Sequence, residues 1–286
     1  MRYWRGAFLL AVVFNGCGTT PRDPVQRLQD VGTTVVRNER GEVTAAYPCN
    51  TAIRDREMVD FTHLTRLRKL ELSNTAITDA GLVHLQGLAD LEWLSVANTA
   101  IRGTGLVHLS GLSQLRALDL DRTDVGDSDL SHLSSLTSLR ALCLSNTQIT
   151  GAGIAHLKGL TKLEDLRLAR TNVRGAGLVH LADLNQLREI DLARTHVKDA
   201  GLRHLKHLTK LQRLILPTSI TDGGLVHLER MADLRELDLG RTQVTATGFS
   251  RLVRFKRMER LKLPASFDPD SAIELAEALP RCDVSQ

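Results

Sequence analysis

Aromatic side chains are scarce in this chain. Phe, Trp and Tyr together supply 3% of its 286 residues, too few for a richly built carbohydrate platform. Cysteine is also rare: Cys17, Cys49, Cys143 and Cys282 are widely separated, and none forms the C-x-x-C pair of a metal or redox site. No long apolar run occurs either. The segment Ala7-Phe-Leu-Leu-Ala-Val-Val-Phe14 has eight residues, against the ~20 that a membrane-spanning helix needs. An excess of one charge is missing too. The formal net charge is +4, from 37 basic and 33 acidic residues, and Arg2 and Arg5 supply half of it. The remaining signs are interspersed, which leaves no basic stripe for nucleic acid.

Catalytic signatures are absent as well. The chain holds no G-x-S-x-G, H-E-x-x-H or paired-carboxylate motif. Gly103-Thr104-Gly105, Gly151-Ala152-Gly153 and Gly175-Ala176-Gly177 begin like a phosphate-binding G-x-G-x-x-G, but His108, His156 and His180 stand at the third glycine. These glycines are expected to let a short helix start close against its neighbour. The expectation is a protein with no catalytic residues, cofactor, metal, small-molecule substrate or nucleic-acid partner.

What the chain has is repetition. Asn74 to Thr99 begins and ends on an Asn-Thr pair, and threonines recur at Thr51, Thr75, Thr99, Thr123, Thr147, Thr171 and Thr195, each 24 residues after the last. A fixed period in this range marks a solenoid. Each unit carries L-x-x-L-x-L, as at Leu67, Leu70, Leu72 and at Leu115, Leu118, Leu120. Its final L-x-L alternates like a short half-buried strand. A turn then returns one aliphatic residue to the core (Ile77, Ile101, Val125, Ile149, Val173, Val197), and Thr78 or Asp79 can cap a short helix whose Leu82 and Leu85 share a face. Strand, turn and helix alternate, so the strands must pair in parallel. The Thr column is expected to turn its hydroxyls inward onto backbone groups.

This pattern resembles leucine-rich repeats of the ribonuclease-inhibitor type, in the 24-residue form common in bacterial proteins, with Thr in place of the family's usual Asn. The resemblance implies an α/β solenoid, with a parallel ladder on the concave face and short helices on the convex face. It covers residues 43–286, about ten units including caps. Asn50 to Ile53 keeps the register of Asn74 to Ile77 in a degenerate first unit where Ala46 and Pro48 replace the leucines. Leu261 and Leu263 are expected in the last strand, and Ser271 to Leu279 reads as a closing helix stopped by Pro280. The unit holding Pro217 is one residue short, which predicts a bend or bulge.

The N-terminus reads as an export signal over residues 1–16. Arg2 and Arg5 precede the apolar segment, and Asn15-Gly16-Cys17 follows it. This end resembles a bacterial lipoprotein signal, although Phe14 and Asn15 depart from the usual residues. The resemblance implies a lipid on Cys17 and, with Gly18 next, an outer-membrane or periplasmic-side address in the cell envelope. Plain secretion is the alternative. Residues 17–42, with Pro21 and Pro24, are expected to form the lipid-attachment site and a polar tether. Val31 to Val36 could instead join the N-terminal cap.

Stacking turns each repeat position into a column, so function is sought by column. Seven histidines align (His84, His108, His132, His156, His180, His204, His227), but on the splayed helical side they suit partly buried packing better than metal ligation. Cys49 and Cys282 would stand roughly 40–45 Å apart across strands spaced ~4.8 Å, too far for a disulfide.

The concave face, which the resemblance makes the usual binding surface, offers Trp93, Ser95, Ala117, Asp119, Ala141 and Cys143, then the ionic Arg167 and Asp191, with Ile215 as a second apolar residue. Trp93 beside small residues is the strongest anchor candidate. The favoured role is a non-catalytic protein-binding module held to a membrane by its N-terminal lipid. A substrate-recognition adaptor or secreted effector of the F-box/leucine-rich-repeat type is one alternative, and a structural envelope spacer without a specific ligand is another.

Overall fold

The computed structural model describes residues 23–49 and 51–286. Within them lies one sheet of twelve strands, ordered as in the chain. Strand β1 (Thr34–Arg37) and β2 (Val43–Tyr47) form an antiparallel hairpin. The three-residue strands that follow are β3 (Lys69–Glu71), β4 (Trp93–Ser95), β5 (Ala117–Asp119), β6 (Ala141–Cys143), β7 (Asp165–Arg167) and β8 (Glu189–Asp191). Then come β9 (Arg213–Ile215), β10 (Glu236–Asp238), β11 (Arg260–Lys262) and β12 (Asp283–Ser285), and all pairings after the hairpin are parallel.

The central residue of each strand points into the core. Leu70 pairs with Leu94, Leu94 with Leu118, and so on to Leu261, and each is at most 1% exposed. One such leucine contributes about 1.5–3 kcal/mol by leaving water, so in-register repetition makes a continuous apolar spine. The returning aliphatics from Ile77 to Val197 are fully buried beside it.

The short helices expected from spacing are tightly wound. Most are 3₁₀ turns such as Asp79–Leu85, Thr104–Leu109 and Gly175–Leu181. In a 3₁₀ turn residues three apart eclipse one another, which puts Leu82 and Leu85 together in the core. The Thr column does what its position suggests: Thr75, Thr123, Thr147, Thr171 and Thr195 donate their hydroxyls to the carbonyls of Leu72, Leu120, Leu144, Leu168 and Leu192, at 2.6–2.8 Å.

Neighbouring turns are joined in two ways. Asp55, Asp127, Asp199 and Asp222 each accept both the backbone N–H and the hydroxyl of a threonine in the next unit: Thr78, Thr150, Thr221 and Thr245. Where glycine replaces that aspartate, the backbones approach directly, as at Gly151 and Gly177. The G-x-G pairs are thus packing devices. His84, His108, His132, His180, His204 and His227 are half-buried on this side and His156 is exposed, while no group of three metal-ligating side chains gathers among the described residues.

Three expectations need correction. Residues 17–42 are not tether throughout, because from Pro24 on they form the cap: a helix (Pro24–Asp30) buries Val25 and Leu28, and Arg27 pairs with the buried Asp60. The sheet does not end at β11, since the closing helix (Pro269–Ala278) returns the chain to add β12.

The short unit makes no bulge either. Arg213, Leu214 and Ile215 pair regularly with Glu236, Leu237 and Asp238, and the missing residue is absorbed in the turn after Pro217. In full-length units a backbone N–H after the threonine bonds to the preceding aliphatic carbonyl, as His196 does to Val173. In the short unit the Ser219 hydroxyl donates to the Val197 carbonyl instead. The export signal over 1–16 and Cys17 lie outside the described residues, and Cys49, Cys143 and Cys282 are free thiols.

Candidate binding site on the concave face

Because strand residues alternate, each three-residue strand sends its first and third side chains to the concave face. In-register pairing then stacks them into two columns. The first runs Lys69, Trp93, Ala117, Ala141, Asp165, Glu189, Arg213, and the second Glu71, Ser95, Asp119, Cys143, Arg167, Asp191, Ile215. Between and above them is an open trough of about 540 Å³ that reaches from Glu71 to Asp191.

The trough brings together Trp93, Ser95, Asp119, Cys143, Arg167 and Asp191. Ala117, Ala141 and Ile215 do not line it. Ser95, Ala117, Ala141 and Cys143 are 0–6% exposed, so they form a floor and offer a partner little surface. Alternation correctly sets the face, but on a surface curved inward short side chains lie below their longer neighbours. Ile215 is half-buried one repeat beyond Asp191, the end of the trough.

Trp93 is half-buried at one end, and the Lys69 ammonium lies 4.4 Å from its ring centroid and 5.3 Å from that of Tyr47. A cation over an indole face is worth about 0.5–2 kcal/mol depending on desolvation. Lys69 and Tyr47 were not evident as site residues from sequence. The register stacks Lys69 beside Trp93 and, by pairing Ala45 with Lys69, leaves Tyr47 diagonally across from it, two residues along β2; a degenerate first unit hides that register.

The carboxylates of the second column have structural partners. Asp119, Asp191 and Asp238 accept the backbone N–H of Asp121, Ala193 and Gly240 at 2.8–2.9 Å, closing the turn after each strand. Burial pushes Asp119 up to about 6, with Asp121 and Glu71 adding repulsion while the Asp121 N–H and the Cys143 thiol oppose the rise. Asp191 is raised for the same leading reason, and burial also raises Cys143 and keeps it a thiol. Arg167 pairs with the buried Asp165 at 3.2 Å. Arg213 bridges Glu189 at 3.7 Å and Glu236 at 3.2 Å. The surface combines an aromatic end, a small-residue floor and an ionic far end. Such a surface can hold a partner by contact and charge.

Comparison with known proteins agrees with this architecture. Residues 65–125 match the Leucine rich repeat family. Internalin C2 of Listeria monocytogenes is similar in structure, with a TM-score of 0.57 and 25% identity, over 71% of this chain and 80% of that one. An internalin (InlF) of the same organism shares the fold at a TM-score of 0.57 and 18% identity, over 92% of this chain and 93% of its own. Among curated proteins none matches the chain. The strand ladder, the matched segment and the structural relatives together make the chain a leucine-rich-repeat solenoid.

Proposed function

We propose that this protein is a non-catalytic interaction module that binds a protein partner in the concave trough, with Trp93 as anchor. The observation that carries this reading is the half-buried indole at the trough's end, beside the small side chains of Ser95 and Ala97 that line the trough with it. Binding hot spots favour Trp in desolvated surroundings. A shallow floor of small side chains gives a protruding partner group room to reach it. In this reading the module is held in the cell envelope by a lipid on Cys17, which the Arg2–Cys17 stretch supports.

Two measurements test the two halves. Capture of a discrete partner from the native membrane fraction is expected with wild type and lost with Trp93→Ala; equal capture by both proteins refutes the anchor. The intact mass of the native protein is expected to show a chain starting at Cys17 with added acyl mass, absent in Cys17→Ser. A full-length, unmodified chain refutes the envelope anchor and favours an adaptor role.

A further inference from the structure

The two rims of the concave face treat arginine differently. On the rim where the chain enters each strand, arginines alternate with glutamates of adjacent repeats: Glu92 lies 3.9 Å from Arg68 and 3.6 Å from Arg116, and Glu164 pairs with Arg140 and with Arg188 at 3.6 Å. Each of these four arginines therefore has a carboxylate partner, with each glutamate serving two of them.

On the exit rim the column begins Asn74, Asn98, Arg122, Asn146 and continues Arg170, Arg194, Thr218, Arg241. Its first half is internally bonded. Asn98 donates to Asn74 and Asn146 to Asp121, both at 2.6 Å, and Arg122 lies 3.6 Å from Asp121. Arg170, Arg194 and Arg241 are exposed and have no side-chain hydrogen bond or ion pair among the described residues. They repel one another: Arg170 and Arg241 hold the Arg194 guanidinium below its ordinary value.

The backbone sharpens the contrast. Arg170 and Arg194 sit at φ 57° and 58°, as Asn74, Asn98 and Asn146 do at 53–56°. Asparagine tolerates this left-handed region better than arginine, and here it also returns a bond between repeats. Arginine at these positions brings mutual repulsion and no bond. No side-chain hydrogen bond or ion pair among the described residues accounts for the choice.

We infer that Arg170, Arg194 and Arg241 form a second contact surface, which takes an extended acidic segment of a protein partner laid along the exit rim. This deepens the protein-binding reading above and rests on it. A guanidinium fork matches one carboxylate. Neighbouring repeats stand ~4.8 Å apart, and alternate residues of an extended peptide ~6.7 Å apart, a mismatch that long arginine side chains absorb. A uniformly charged polysaccharide fits less well, because Asp119 and Asp191 line the adjoining trough and would repel it. A peptide can place acidic residues at the arginines and other residues over the trough.

The probe is a fluorescein-labelled ten-residue peptide alternating Glu and Ser, followed by anisotropy at low and moderate salt. Wild type is expected to bind it, more weakly at higher salt. The triple variant Arg170→Asn/Arg194→Asn/Arg241→Asn, which carries the residue native to this column, is expected to keep its melting temperature and bind about tenfold more weakly. The control Arg116→Gln/Arg188→Gln, on the opposite rim, is expected to bind like wild type. Absence of wild-type binding, an unaffected triple variant, or an equal loss in the control would each overturn the inference. Tighter binding of a heparin-derived hexasaccharide than of the peptide would overturn it in favour of a polysaccharide. Trp93-dependent partner capture surviving any of these results would leave the trough reading standing alone.

Discussion

A Cβ built on Gly177 would lie 2.4 Å from the Cα of Gly151, one repeat away. The two units are in backbone contact where others are spaced by an Asp–Thr clamp. Gly177→Ala must therefore push two repeats apart, at roughly 2–4 kcal/mol. A Cβ on Gly87 would meet nothing within 4 Å, so Gly87→Ala should stay within about 1 kcal/mol of wild type. Urea unfolding followed by circular dichroism compares them, and similar midpoints would refute the close approach as the reason for Gly177.

The Ser219 hydroxyl replaces a backbone donor lost from the short repeat, and it bonds to the carbonyl of Val197, whose side chain is fully buried. Ser219→Ala should leave that carbonyl without its donor, at about 1–2 kcal/mol. Ser219→Thr should restore most of the loss. If alanine were as stable as serine, the hydroxyl would not be compensating for the deletion.

Asp119 gives stability a specific pH dependence. Its folded value of about 6 lies above its ordinary 3.8, so the folded state holds the proton more tightly than the unfolded one. Its contribution is complete below about pH 4 and is lost as pH rises through about 6, on the order of 2–3 kcal/mol. The upward shift of Asp191 acts in the same direction. Asp119→Asn keeps an acceptor for the Asp121 N–H and should flatten the melting-temperature profile between pH 5 and 7.5, raising it at the upper end. A profile unchanged by the substitution would contradict a raised Asp119.

The repeat was legible because the buried columns return leucine, or a close aliphatic in its place, almost every 24 positions, as Leu70, Leu94 and Leu118 show. The Thr and Gly columns could be read as structural for the same reason. The caps could not. Val35, Val43 and Ala45 are too few to declare a hairpin, and β12 has Val284 as its one apolar residue. At the site, alternation assigned Ala117 and Ala141 to the concave face but could not show that they form its floor. The stacking of Tyr47, Lys69 and Trp93 needed the register between a degenerate unit and the first regular one. The unpaired state of Arg170 and Arg194 needed the positions of every carboxylate around them.

Site-specific photocrosslinking tests the central claim most directly. Ala97 lines the trough near Trp93, whereas Val179 is 46% exposed on the helical side of its repeat. A photoreactive residue at 97 should capture a discrete partner in cells, and added Trp93→Ala should abolish that product. The same residue at 179 should capture none. A discrete product from 179 alone, or a product from 97 indifferent to Trp93, would contradict a partner bound in the concave trough.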